Sequence, residues 1–243
     1  MKYRYHHDEA LETIARKIIS QYDPNLLDKP APIPVEEIME QVYSLILDFQ
    51  YIRNNGRILG ETVFVDAMIP IYERENNEGY KLIPVKAGTV LLDMSLLDNR
   101  SDGRYRFTCA HELAHWVIDK EYFMQLGETA AMTDGDSIAD TTTKKFETGT
   151  SRNSRAGLVR GLEAGTAKNS DAAIVRSSEV SAILERQANK MASRILMPKC
   201  TLKKAFYQAH GNVINVVDYL ANFYVVSRQA MEIRLKEMGL LTT

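Results

Sequence analysis

Residues 104–123, RYRFTCAHELAHWVIDKEYF, constrain this chain more than any other stretch, because they set two histidines and a glutamate among mostly apolar neighbours. The spacing predicts a helix from about Arg104 onward. Phe107, Ala110, Leu113, Ala114, Trp116, Val117 and Ile118 leave that helix little polar surface, so it should lie buried. Burying imidazoles and a carboxylate is costly unless they serve one another or a shared ligand.

His111-Glu112-Leu113-Ala114-His115 is an HExxH sequence. Four residues of α-helix turn through about 400°, which stacks the two histidines on one face. Two imidazoles so placed can share one Zn²⁺ at about 2.0–2.1 Å. Glu112 then sits beside the ion, where it can take a proton from the attacking water.

A catalytic zinc needs a third protein ligand and an open position. The longer motif that supplies a third histidine is absent, since Ile118 and Glu121 stand where its glycine and histidine would be. Carboxylates remain, from Glu121, Glu128, Glu163, Glu179 or Glu185. The helix EVSAILERQANKMASRILM, opening near Ser178 and stopped by Pro198, favours the last of these. At about 100° per residue, Ala182, Ala188, Ala192 and Leu196 fall within about 60° of Glu185. Arg186, Lys190, Ser193 and Arg194 fall on the other side. Glu185 therefore points out of the apolar face, where coordination to a metal would explain it. Asn189, one turn on, could hold the far side of a ligand. The opposing reading is a buried ion pair of Glu185 with Arg104 or Arg106.

Around these two helices the chain alternates in character. Residues 7–43 read as two helices, with Leu11, Ile14, Ala15, Ile18, Ile19 and Tyr22 on one stripe and the Pro-rich KPAPIP as the break. Residues 44–98 read as short strands rich in Val, Ile, Leu, Phe and Tyr. RNNG (53–56) and ENNEG (75–79) are expected to be hairpin turns in a mostly antiparallel sheet. Residues 133–178 offer too little apolar surface to offset their ordering entropy, and read as a flexible insertion.

Length and composition narrow the class. With 243 residues, 45% hydrophobic and 26% charged, the chain has ordinary globular usage. A net charge of −2 gives no global field for nucleic acid or anionic membrane. Two distant cysteines, Cys109 and Cys200, make no disulfide framework. Charges stand where a signal peptide needs an apolar run, so a cytoplasmic protein with no membrane partner is expected.

HELAH preceded by RFT, then ERQANKMASRILMP, then VSRQAMEIRLKEMGL, resembles the ImmA/IrrE family of zinc metallopeptidase-like proteins over most of the chain. The resemblance implies an α+β fold similar to the minimal core of zincin peptidases, with a small sheet packed on helices. Residues 1–198 would form that domain, with the insertion at 133–178, and 199–243 a helical extension packed on it. His111, His115 and Glu185 are implied as ligands of one catalytic Zn²⁺, and Glu112 as general base. The implied activity is a zinc-dependent endopeptidase, gluzincin-like, that cuts a specific cytoplasmic protein such as a helix-turn-helix transcriptional repressor. The gap between His115 and Glu185 exceeds the family's usual spacing, and the insertion fills the excess.

The group that stabilises the oxyanion is not legible; His210, Tyr105, Tyr122, Tyr207 and Tyr224 are the candidates. A regulator that keeps the zinc and binds a repressor or DNA without cutting is the alternative function. ANFYVVSRQAMEIRL has the rhythm of a helix-turn-helix, but 199–243 shows only a small basic excess, so DNA binding is disfavoured.

Overall fold

Helix α1 (Asp8–Tyr22) buries Leu11, Ala15, Ile18 and Ile19 along the stripe expected from sequence, and stops where Pro24 opens a 3₁₀ turn (Pro24–Leu27). Asp23 caps that turn, its Oδ1 accepting from the amide of Asn25 at 2.9 Å. A computed structural model describes residues 4–52, 58–72, 79–98, 102–131, 143–147, 170–211 and 213–241. These form two compact units, whose dividing line runs through two continuous helices, between Ala114 and His115 and between Ala188 and Asn189. The class is α+β. Among the described residues no helix is long and apolar enough to cross a membrane.

The first unit holds the strands. β1 (Ile46–Gln50), β2 (Ile58–Val63), β5 (Thr89–Asp93) and β6 (Thr143–Glu147) form one sheet in the order β1-β5-β2-β6; β3 (Ala67–Tyr72) and β4 (Tyr80–Val85) form a separate antiparallel pair. β2 runs antiparallel to β5, with Glu61 opposite Leu91, and to β6, with Glu61 opposite Lys145. Ile52, Val63, Ile69, Val85 and Leu91 make one apolar cluster. In the pair, Met68 faces Pro84, Pro70 faces Leu82 and Tyr72 faces Tyr80. Met68, Tyr80 and Leu82 are exposed. The amide of Tyr72 donates to the carbonyl of Tyr51 at 2.8 Å, so it points away from β4.

Two sequence expectations change here. RNNG lies outside the described residues; the strands on either side of it, β1 and β2, are not neighbours in the sheet, because β5 lies between them. The reason is burial, since all five residues of β5 (TVLLD) are buried and claim a central place that turn propensity cannot foresee. ENNEG also falls largely outside the described residues, but the strands beside it do pair antiparallel. Within 133–178, residues 143–147 are strand β6, and the following helix, α6 (Ser170–Leu196), starts eight residues before Ser178. Edge pairing to β2 supplies the backbone hydrogen bonds that a composition argument omits. The remainder of 133–178 lies outside the described residues.

The second unit is helical. α2 (Val35–Glu37) runs on into a π-turn (Ile38–Val42), α3 spans Ser95–Asp98, and α4 spans Asp102–Ala114. After Pro198 come α7 (Lys199–Ala209), α8 (Val216–Tyr224) and α9 (Arg228–Glu237). Asn215 and Ser227 cap the last two, each accepting from amides of its own first turn. A Cβ on Gly103 would stand 3.0 Å from the backbone carbon of Val226, so glycine lets α4 and the α8–α9 turn approach. Val225 in that turn has φ 53°, in the left-handed region.

Candidate metal centre

α4 does not end at Ala114 but continues through a π-turn (His115–Asp119) into α5 (Lys120–Ala131). Cys109, Ala110, Leu113 and Ala114 are wholly buried on this helix, as its apolar sequence requires. His111, Glu112 and His115 are wholly buried with them. Buried polar groups must be satisfied, and the two rings meet that need on their Nδ1 sides. His111 Nδ1 lies 3.1 Å from Asn189 Oδ1, and His115 Nδ1 lies 2.6 Å from Asp119 Oδ2.

The Nε2 side of His115 faces Glu185, whose Oε1 is 3.8 Å away. One donor atom from each of His111, His115 and Glu185 falls within 4.8 Å of the others. Two atoms bound to one ion at about 2.1 Å and the tetrahedral angle are about 3.4 Å apart, so small side-chain rotations would bring this set around a single ion. Two imidazole nitrogens and one carboxylate oxygen suit a borderline metal such as zinc. The Glu185 side chain is 29% exposed while both imidazoles are fully enclosed, which leaves the accessible side of the cluster next to the carboxylate.

α6 explains that placement. Ala188, Ala192 and Leu196 are wholly buried, but Ala182 is exposed, so the apolar face ends beside Glu185. Glu185 therefore stands at the margin of that face. The opposing ion-pair reading gains no support from Arg106, whose Nη2 donates to the carbonyl of Ile33 at 2.7 Å while Nη1 lies 3.9 Å from Glu36. Arg104 is exposed. Of the other carboxylates, Glu121 is exposed, and the side chains of Glu128, Glu163 and Glu179 lie outside the described residues.

Asp119 escaped the sequence reading. It is wholly buried. Its signal was available: it follows His115 by four residues, the spacing that puts two side chains on one helical face.

The remaining candidates scatter. Tyr207 is 62% exposed and His210 is exposed, its ring 5.2 Å from that of Phe206. Tyr224 is wholly buried, and burial pushes its phenol up to about 12. Burial also raises the Tyr105 phenol, which lies against Cys109, and raises the Cys109 thiol, with Glu36 adding to the shift. A wholly buried thiol raised in this way is a packing group. Tyr122 is half-buried; desolvation and then the Asp119 charge raise its phenol.

No curated protein matches the chain. Among solved structures, a Mycobacterium tuberculosis transcriptional regulator is similar at 14% identity with a TM-score of 0.45, over 96% of this chain and 47% of that one. The chain thus spans about half the length of that structure. Residues 175–236, which carry Glu185, Asn189 and the helices after Pro198, match the family described as the IrrE N-terminal-like domain, the family whose resemblance the sequence motifs carry.

Proposed function

We propose that the chain is a zinc-dependent endopeptidase of zincin type that cuts a specific cytoplasmic protein, a helix-turn-helix transcriptional repressor. The observation that carries this reading is the convergence of His111, His115 and Glu185 donor atoms within 4.8 Å, with buried Glu112 adjacent in sequence to the first ligand. These three residues would hold the ion. When bound, zinc supplies Lewis-acid polarisation of the scissile carbonyl and of the attacking water. Glu112 takes the proton as the water oxygen bonds to the carbonyl carbon, and hands it to the amine as the C–N bond breaks. Asn189 holds the His111 ring from its Nδ1 side. Residues 1–198 supply the peptidase domain and 199–243 a helical extension.

The final helices support a protein partner over DNA. Arg228 lies 2.9 Å from Asp218 and 3.2 Å from Glu232, and Lys236 lies 2.9 Å from Glu232. Cations engaged by carboxylates on their own surface give little attraction for phosphate.

The test is incubation of the purified chain with the helix-turn-helix repressor encoded beside it, with and without a chelator. We expect one zinc per chain, cleavage that the chelator stops, and a Glu112→Gln variant that binds zinc but does not cut. Cleavage that survives in Glu112→Gln defeats the mechanism. Stoichiometric zinc and repressor binding without cleavage replaces the reading with a non-cutting regulator.

A further inference from the structure

The two histidines are supported unequally. His111 meets the neutral amide of Asn189 at 3.1 Å, and His115 meets the carboxylate of Asp119 at 2.6 Å. We propose that Asp119 is a positioning residue, which fixes the His115 proton on Nδ1, reserves Nε2 for the metal and makes His115 the stronger of the two imidazole donors. This deepens the function proposed above and rests on it for the metal.

Three observations support the assignment. First, Asp119 and His115 are both wholly buried, so the contact is dry and its electrostatics unscreened by water. Secondly, the acceptor is chemically one-sided. An ionised carboxylate accepts and cannot donate, so it admits only the tautomer with hydrogen on Nδ1, whereas an amide can present either its oxygen or its nitrogen. Thirdly, the π-turn begins at His115 and ends at Asp119. Single π-turns inside α-helices recur at functional sites; this one carries the histidine and its carboxylate at its two ends.

The opposite edge of the ring completes the argument. His115 Nε2 faces Glu185 Oε1 at 3.8 Å, so the nitrogen left free of hydrogen is the one aimed at the other donors. Negative charge behind an imidazole raises its donor strength toward a cation in front. Asn189 lends no such charge to His111.

Nitrogen-15 NMR of histidine-labelled protein tests this before any metal is added. In the metal-free wild type at neutral pH we expect His115 to carry hydrogen on Nδ1 in a single tautomer. In Asp119→Asn the signals should show mixed tautomers for His115, with His111 unchanged. Zinc binding, read by competition with a chromogenic chelator, should weaken about 10–100-fold in Asp119→Asn, with partial recovery in Asp119→Glu. Asn189→Ala should weaken zinc less than Asp119→Asn does. A wild-type His115 protonated on Nε2 overturns the proposal without recourse to any variant. So does a folded Asp119→Asn protein with unchanged tautomer and zinc affinity within twofold of wild type. Failure of the wild type to bind zinc would sink the functional reading, while the metal-free tautomer would still report on Asp119 by itself.

Discussion

Arg234, wholly buried in α9, donates through Nη2 to the carboxylate of Glu12 in α1, 222 residues earlier in the chain. Its Nε also donates to the carbonyl of Met197 at 3.2 Å, and Arg194 Nε lies 3.5 Å from the same Glu12. Removing one partner of a buried ionic set strands the rest. Arg234→Leu is expected to lose about 3 kcal/mol in urea unfolding, although it replaces charge with apolar bulk.

Gly103 gives a prediction against ordinary helix propensity. Alanine in place of glycine normally stabilises a helix by about 1 kcal/mol. Here the added carbon would meet three backbone atoms of Val226 and Ser227 at 3.0–3.1 Å. Gly103→Ala should therefore destabilise by about 1–2 kcal/mol, measured by the same denaturant titration.

Val225 runs the other way. A β-branched residue at φ 53° is strained. Val225→Gly should relieve about 1 kcal/mol, which for a chain of this size is a rise of about 2–4 °C in Tm by calorimetry.

The exposed pair between Asp8 and Lys190, 2.8 Å apart, has a pH signature. The hydrogen bond from Lys190 holds the Asp8 carboxyl below its usual 3.8. A folded-state value lower than the unfolded one gives stability that is present above 3.8 and lost as pH falls through the folded value. Asp8→Asn should thus be slightly less stable than wild type at pH 7, and the gap should close below pH 3.8 in paired urea titrations.

Metal linkage is measurable without a substrate. Free zinc at about 100 times its Kd should add about 2.7 kcal/mol to the folded state, visible as a rise in Tm that a chelator reverses. Glu185→Ala should lose most of that rise, while Glu112→Gln should retain it.

Much of the site could be read in the chain itself, because its signals are local and periodic. HELAH repeats at one helical turn, and the alanines at 188 and 192 mark a face on which Glu185 can be placed by angle alone. Asn189 followed from the same wheel, and its oxygen does meet His111. Asp119 was missed although it obeys that periodicity, because an aspartate four residues past a histidine also suits an exposed surface. Only its complete burial distinguishes the two. The sheet order was illegible for a different reason. RNNG resembles a hairpin turn locally, but which strand lies beside β1 depends on contacts with β5, about forty residues on. β6 was hidden in a polar stretch because an edge strand is held by its backbone bonds to β2 more than by apolar side chains.

Pro70 and Pro84 give the β3–β4 pair a protection that its side chains do not suggest. Tyr72 directs its amide away from β4, and Pro70, two residues earlier, occupies the same alternation of the ladder. At that place the outer flank has no hydrogen to offer, and the Met68–Pro84 rung repeats the gap on the other strand. An extended segment from another molecule would find one carbonyl unanswered at each margin. Met68, Tyr80 and Leu82 can therefore face solvent with less risk of seeding fibrillar stacking.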